Sequence, residues 1–258
     1  MGMGDLRMNI LFTICGRAGS KGFRNKNLKK MRGIPLLYIT LASIRSYMNE
    51  HPEDTVTVAL NTDSKLLENL IQQQNYISTR CVFRKKELAG DIVPKIEVIK
   101  DTFLTCNDIS PDVVIDLDIT SPMRRVIDIE NIIKEYQKGI YDLVFSVVKA
   151  RRSPYFNMVE NKSDGFYRKI CESGYNARQQ TPNSYEMNAS IYAYSPKFLR
   201  NEITKPIIDY NCGISIMPDY LVLDIDSEED FEMMQFLYEY YCNKDTELNK
   251  IFEVAKLM

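Results

Sequence analysis

Tryptophan is absent from this 258-residue chain, and histidine occurs once, as His51 in Asn49-Glu50-His51-Pro52-Glu53-Asp54. A single imidazole in an acidic, loop-like stretch excludes histidine-built metal clusters and argues against Ser-His-Asp or Cys-His catalysis. The six cysteines, Cys15, Cys81, Cys106, Cys171, Cys212 and Cys242, form no Cys-x-x-Cys pair and lie mostly in or beside apolar runs. That usage predicts reduced core thiols in a cytoplasmic protein. No apolar run approaches the roughly 18 residues of a membrane span, and Met1 to Arg7 lacks the apolar core of a signal peptide. Charge of one sign is missing too. The 33 Lys+Arg against 35 Asp+Glu leave a net −2, which gives no global reason to expect a nucleic acid partner. Chemistry must therefore run on arginine, lysine, carboxylates, amides and backbone.

What is present is a globular balance, 45% apolar and 26% charged, enough for one large core with or without a small appendage. Asn9 to Cys15 is a continuous apolar run ending at Gly16, the pattern of a strand buried on both faces. Leu37, Leu41, Ile44 and Met48 then fall on one helical face. Thr55 to Leu60 reads as a strand, Lys65 to Gln74 as a helix capped near Ser64, and Arg80 to Phe83 as another strand. Pro94 opens a helix bearing Ile96, Ile99 and Phe103. Val113 to Ile115 starts a strand ending in Asp116-Leu117-Asp118. A helix face at Ile129, Ile132, Ile133 and Tyr136 follows, then a strand from Asp142 to Val148. This alternation predicts an α/β fold of three layers around a Rossmann-like, mainly parallel sheet.

The alternation breaks between Lys149 and Met187, where short strands, aromatic residues and polar turns suggest a hairpin-like excursion. It resumes with Ala189 to Tyr194. The apolar run from Tyr220 to Asp226 reads as a last strand before a helix starting near Ser227. No repeat or low-complexity linker intervenes, so residues 1–258 read as one domain that carries an excursion over 149–187.

Ligands in open α/β sheets gather at the carboxyl ends of the strands. The first such end carries Gly16-Arg17-Ala18-Gly19-Ser20-Lys21-Gly22, followed by Lys26-Asn27. Arg17, Lys21, Arg24, Lys26, Lys29, Lys30 and Arg32 meet no acid between Leu6 and Asn49. Glycines let backbone N–H groups approach phosphate oxygens, and the cations offset triphosphate charge. The loop is neither a Walker A motif nor a G-x-G-x-x-G fingerprint; the plain alternative is a solvated basic loop. Asp224 and Asp226, two apart at the end of an apolar run, would share one face of a strand, as suits Mg²⁺ held jointly with phosphates. A helix-capping acidic turn is the alternative there. Asp116 and Asp118 repeat the spacing at another strand end. A basic glycine loop facing paired carboxylates suits metal-assisted nucleotidyl transfer.

The set of motifs resembles the acylneuraminate cytidylyltransferases, the CMP-sialic acid synthetases. Arg17 to Gly22 with Lys26-Asn27 is similar to their N-terminal motif, and Thr120-Ser121-Pro122-Met123-Arg124 to their Thr-Ser-Pro-Leu-Arg. Asn188-Ala189-Ser190-Ile191-Tyr192 is similar to their Asn-Gly-Ala-Ile-Tyr, and Asp224-Ile225-Asp226 to their Asp-Ile-Asp. The order is the family's and spans nearly the whole chain. The resemblance implies a nucleotide-diphospho-sugar transferase type of fold, and formation of a CMP-sugar and pyrophosphate from CTP and a nonulosonic acid with Mg²⁺. It implies that Arg17, Ser20, Lys21, Gly22 and Lys26 hold the CTP phosphates, Asn27 and Arg84 the nucleoside, and Asp224 and Asp226 the metal. Asp118, Arg178, Asn188 and Tyr192 would form the sugar side. The excursion would serve dimerisation and reach into a partner's site, giving a homodimer. Arg17 and Lys21 would offset transition-state charge, and either Asp226 or a metal-bound hydroxyl would take the sugar's proton.

Several positions depart from the sialic acid pattern. Asp118 stands where those enzymes carry a sugar-binding Gln, Ile92-Val93-Pro94-Lys95 replaces small polar residues, and Pro154-Tyr155-Phe156-Asn157 lacks a family lysine. Asp116-Leu117-Asp118 and Arg151 to Asn157 are closer to the CMP-legionaminic acid synthetase branch. An acid in place of an amide changes how a sugar hydroxyl, amide or amine is read. The expected substrate is therefore a 5,7-diamino nonulosonate, with N-acetylneuraminate second. The rivals are a CMP-3-deoxyoctulosonate-type synthetase and a non-catalytic nucleotide-binding module.

Overall fold

In a computed structural model, residues 7–19, 22–90 and 92–258 are described. In chain order they form β1 (Asn9–Gly16), β2 (Lys30–Met31), β3 (Ile34–Pro35), α1 (Leu36–Glu50), β4 (Thr55–Thr62), α2 (Lys65–Gln73), β5 (Arg80–Phe83) and α3 (Lys95–Thr105). Then come β6 (Val113–Leu117), α4 (Val126–Tyr136), β7 (Leu143–Lys149), β8 (Val159–Asn161), β9 (Tyr167–Lys169) and β10 (Tyr185–Tyr194). The chain closes with α5 (Pro196–Arg200), β11 (Cys212–Ile216), α6 (Glu228–Cys242) and α7 (Thr246–Lys256).

Seven strands make the central sheet in the order β11-β7-β10-β6-β1-β4-β5. β1 lies parallel to β4 and β6, β4 to β5, and β7 to β11; β10 alone runs antiparallel, between β6 and β7. The expected sheet is thus correct in class, with one difference: the Ala189–Tyr194 segment belongs to a strand that begins at Tyr185 and runs backwards. Both faces are covered. Leu37, Leu41 and Ile44 of α1, Ile129 and Ile132 of α4 and Phe252 of α7 pack on one face. Ile96, Ile99 and Phe103 of α3 and Phe198 and Leu199 of α5 pack on the other. That double cover explains why β1 and β6 read as unbroken apolar runs.

Parallel register brings the strand ends together. Gly16 of β1 sits opposite Thr62 of β4, and Thr62 opposite Phe83 of β5. Thr13 of β1 faces Asp116 of β6. Gly16 packs closely: a Cβ there would lie 2.6 Å from Leu67 Cδ1 and 2.8 Å from Ile119 Cδ1, so both methyl ends would have to shift.

The expected last strand at 220–226 does not form. Asp219–Leu221 is a single 3-10 turn, and the following residues run unladdered along the 120–121 segment. The Ile225 N–H donates to the Thr120 carbonyl at 3.0 Å, and the Ser121 hydroxyl donates to the Leu223 carbonyl at 3.2 Å. The apolar pattern arises because Leu221 and Ile225 plug the core. α6 does start after Ser227, whose hydroxyl accepts from the Asp230 N–H at 3.1 Å. Residues 149–187 hold the separate β8–β9 hairpin. Of the six cysteines only Cys106 is buried; Cys81 is exposed and the other four half-buried, so the thiols border the core rather than fill it. Among the described residues no helix is long and apolar enough to cross a membrane.

Candidate active site

The basic loop leaves the end of β1, between β6 and β4 in the sheet, and turns on Gly19 and Asn25, at φ +77° and +56°. Asn25 leads into a short 3-10 turn at Lys26–Leu28. Ser20 and Lys21 lie outside the described residues. Arg17 is half-buried, and its carbonyl accepts from Asn27 Nδ2 at 3.2 Å. The Ala18 N–H donates to Asp63 Oδ1 at 2.6 Å, so a backbone amide of this loop already faces an anion. Gly22 lies directly against the 226 backbone: a Cβ there would sit 3.2 Å from the Asp226 carbonyl oxygen. Loop and carboxylates therefore meet, although 200 residues separate Lys26 from Asp226 in sequence.

Lys26 makes that junction. Its Nζ donates to the Ile225 carbonyl at 2.9 Å and to Asp226 Oδ1 at 2.7 Å. Asp226 is 77% exposed. Asp224 differs. Its Oδ1 is buried and has no hydrogen-bond partner among the described residues. Burial first, then the neighbouring Asp118 and Asp226 charges, raise its pKa above the ordinary aspartate value. A desolvated carboxylate oxygen left unpaired is costly unless a cation joins it. The Asp224–Asp226 pair thus fits a hard divalent cation, even though it lies on a loop rather than on the expected strand.

Arg84 follows β5 and is buried, its Nε donating to Asn61 Oδ1 at 2.9 Å and Nη2 to the Asn61 carbonyl at 3.1 Å. Burial lowers its pKa, and the nearby Arg17 cation adds to that effect. Arg17, Asn27 and Arg84 therefore occupy the β1–β4–β5 part of the edge.

Across β1, at the β6 end, sits a second charged group. Lys95, in the first turn of α3, places Nζ 2.7 Å from Asp116 Oδ2 and 2.5 Å from Asp118 Oδ2. Asp116 is fully buried, and its Oδ1 accepts from Thr13 Oγ1 at 2.9 Å. Asp118 Oδ1 accepts from the Thr120 N–H and hydroxyl at 2.9 and 2.8 Å. Burial alone would raise the Asp118 pKa, but Lys95 and the Thr120 donors outweigh it and hold it at about 2. Burial opposes the Lys95 charge as well, yet the two carboxylates raise its pKa well above the ordinary lysine value. Asp118 was expected to read the sugar directly. Both of its oxygens are instead engaged within the protein, and the side chain of Lys95 beside it is half-buried.

Arg124 fastens the same corner from beneath. It is fully buried, donating from Nε to Ser190 Oγ at 3.1 Å and from Nη2 to the Asp118 and Ser121 carbonyls at 2.5 and 2.6 Å. Burial lowers its pKa to about 10. Neither Lys95 nor Arg124 stands out in the sequence as a site residue. The usable signals were a lysine opening a helix after Pro94 and an arginine closing Thr120 to Arg124.

Tyr192 lies opposite Asp116 and Phe145 in β10 and keeps one side half-exposed, with its ring centroid 5.9 Å from Lys95 Nζ. Asn188 is not on the surface of this wall. It is 1% exposed; Nδ2 donates to the Leu221 carbonyl at 3.0 Å and Oδ1 accepts from Ser146 Oγ at 2.6 Å. With both ends of its amide occupied, it pins the irregularity of β10 rather than touching a sugar. The next residue, Ala189, takes φ +55°. Arg178 is exposed and donates to the Ala150 carbonyl at 2.8 Å. It lines a cavity of about 220 Å³ with Arg152, Ser153 and Gln179, on the β7 side of the edge and apart from the basic loop.

Comparison with known proteins places the chain in a family. A family model described as cytidylyltransferase matches residues 11–258. The chain is 33% identical to the post-translational flagellin modification protein B of Campylobacter coli, covering 88% of this chain and 94% of that protein. It is 32% identical, with the same coverage, to the CMP-N,N'-diacetyllegionaminic acid synthase of Campylobacter jejuni. An N-acylneuraminate cytidylyltransferase of Streptococcus agalactiae is 27% identical over 95% of this chain and 57% of its own length. Among solved structures, a CMP:2-keto-3-deoxy-manno-octonic acid synthetase complexed with CTP superposes with a TM-score of 0.63 at 14% identity. It covers 90% of this chain and 99% of that one, a likeness of fold.

Proposed function

This chain belongs to the cytidylyltransferase family, and we propose that it transfers CMP from CTP to the anomeric 2-hydroxyl of a nonulosonic acid. A legionaminic-type 5,7-diamino acid is the first choice and N-acetylneuraminate the second. The observation that carries the reading is the meeting of the basic loop with the 224–226 segment, through the bonds of Lys26 to the Ile225 carbonyl and Asp226, beside a corner built from Asp118, Lys95 and Tyr192. The relatives named for legionaminic and acylneuraminic acids support the substrate class.

Arg17 and Lys26, with Ser20, Lys21 and Gly22 of the same loop, bind the triphosphate, and Asn27 and Arg84 hold the nucleoside. Asp224 and Asp226 hold Mg²⁺, which when bound offsets charge on phosphate oxygens. The 2-hydroxyl oxygen bonds to the α-phosphorus as the bond from that phosphorus to the pyrophosphate oxygen breaks in line. The exposed Asp226 carboxylate receives the hydroxyl proton, and Arg17 and Lys21 stabilise the departing pyrophosphate. Arg178 and Tyr192 contribute to sugar binding.

Residues 149–187 serve as the dimerisation insertion of a single domain. Val159, Phe166 and Tyr167 on the β8–β9 hairpin are 59%, 67% and 70% exposed, an apolar patch suited to a second copy. The unpaired cysteines suit a reducing cytoplasm. The test is product formation from CTP and Mg²⁺ with N,N'-diacetyllegionaminate, N-acetylneuraminate and 3-deoxyoctulosonate in parallel. A CMP-sugar from a nine-carbon acid is expected. Exclusive use of the eight-carbon acid, or CTP binding without product from any acid, contradicts the proposal.

A further inference from the structure

We infer that Lys95 is the residue that reads the sugar at the β6 corner, by donating to a neutral oxygen acceptor, a hydroxyl or an N-acyl carbonyl. This inference rests on the function proposed above and deepens it. An ammonium carries three donors. One is hydrogen-bonded to Asp118 Oδ2 at 2.5 Å, and Asp116 Oδ2 lies 2.7 Å away as an ion-pair contact, while the side chain keeps 34% exposure beside the Tyr192 ring. An ammonium held in this way keeps donor capacity for a ligand. Asp118 has no such freedom, because the Thr120 N–H and hydroxyl hold its other oxygen.

The charge of the group selects its partner. Asp116 and Asp118 are balanced by the Lys95 ammonium and the buried Arg124 guanidinium, so the corner sums to zero, and Asp224 lies close enough to feel Asp118. A sugar carboxylate brought to Lys95 finds an ammonium whose charge two carboxylates already offset, and a free sugar ammonium finds a donor where it needs an acceptor. A neutral oxygen avoids both penalties, and a fixed donor rejects analogues that lack the acceptor. The ion pairs and the start of α3 hold the donor in place, so discrimination does not depend on ordering a loose lysine.

The test uses the whole enzyme, with wild-type product formation scored first. Lys95→Gln should raise KM for the sugar acid at least tenfold while KM for CTP stays within about twofold. Lys95→Arg, which keeps the ion pairs, should lie between. Replacing the 5- or 7-acetamido group by a free amine should cost wild type at least tenfold and Lys95→Gln much less. Comparing acids with hydroxyl or acetamido at carbon 7 distinguishes the two acceptors. Because Lys95→Gln leaves buried carboxylates unpaired and can fail to fold, a second measurement uses wild type labelled with ¹⁵N-lysine. The Lys95 ammonium signal, assigned with Lys95→Arg, should shift on adding sugar acid beside CTP and not with CTP alone. An unmoved signal at saturating sugar acid, or an unchanged sugar KM in folded Lys95→Gln, overturns the inference while leaving the function standing. Absence of any wild-type product overturns both.

Discussion

Two groups of charges share one sheet edge and are built in opposite ways. At the β6 corner, Asp116, Asp118 and Lys95 are closed on one another and backed by Thr13, Thr120 and the buried Arg124. Along the 224–226 loop, Asp226 stands in solvent and Asp224 keeps a buried oxygen without a partner among the described residues. The first arrangement pairs charges that burial would otherwise make expensive. The second leaves a cost in place, as sites that await a ligand do. The lesson is that burial and charge do not mark function by themselves: Asp116 Oδ2 and Arg124 Nη1 lack a hydrogen bond as Asp224 Oδ1 does, but Asp116 is ion-paired to Lys95, whereas Asp224 has no ion pair among the described residues.

The comparison breaks most visibly at Asp116. Asp116→Ala removes a fully buried acceptor and leaves Lys95 one partner short, so urea unfolding should show a loss of about 3 kcal/mol. Asp118 gives a pH signature of on the order of 2 kcal/mol. Its folded pKa is depressed to about 2, so its stabilisation is present above the unfolded value of about 4 and is lost as pH falls towards 2. The stability gap between wild type and Asp118→Asn should therefore shrink across that window; a constant gap contradicts the ion-pair account.

Asp224 should behave in the reverse sense. Its folded pKa is raised, so ionising it above the unfolded value penalises the fold. Asp224→Asn should stabilise the ligand-free protein by about 1 kcal/mol at neutral pH, or about 2–4 °C in melting temperature, with the gain fading in acid. The smallest effect belongs to Ala189, whose φ of +55° strains an L-residue. Ala189→Gly should raise stability by about 0.5 kcal/mol, the left-handed strain being partly offset by glycine's entropy.

Much of this was legible in the chain. The glycine loop, Thr120 to Arg124 and Asp224-Ile225-Asp226 are contiguous, and parallel strands deliver contiguous ends to one edge. Lys95 was not legible as a site residue, because its role exists only where α3 sets it over Asp116 and Asp118, 21 and 23 positions away. Asn188 misleads for the same reason: nothing local reveals that Ser146 and Leu221 consume its amide. The 220–226 run imitates a strand because Leu221 and Ile225 are buried, and an alternating apolar pattern reports burial rather than a ladder.

The most direct measurement is pyrophosphate release from CTP and N,N'-diacetyllegionaminate as Mg²⁺ is titrated, comparing wild type with the folded Asp224→Ala, Asp226→Ala double variant. The account predicts Mg²⁺-dependent turnover in wild type and at least about a hundredfold loss in the variant, in line with removal of transition-state charge stabilisation. Full Mg²⁺-dependent activity in the double variant would contradict it.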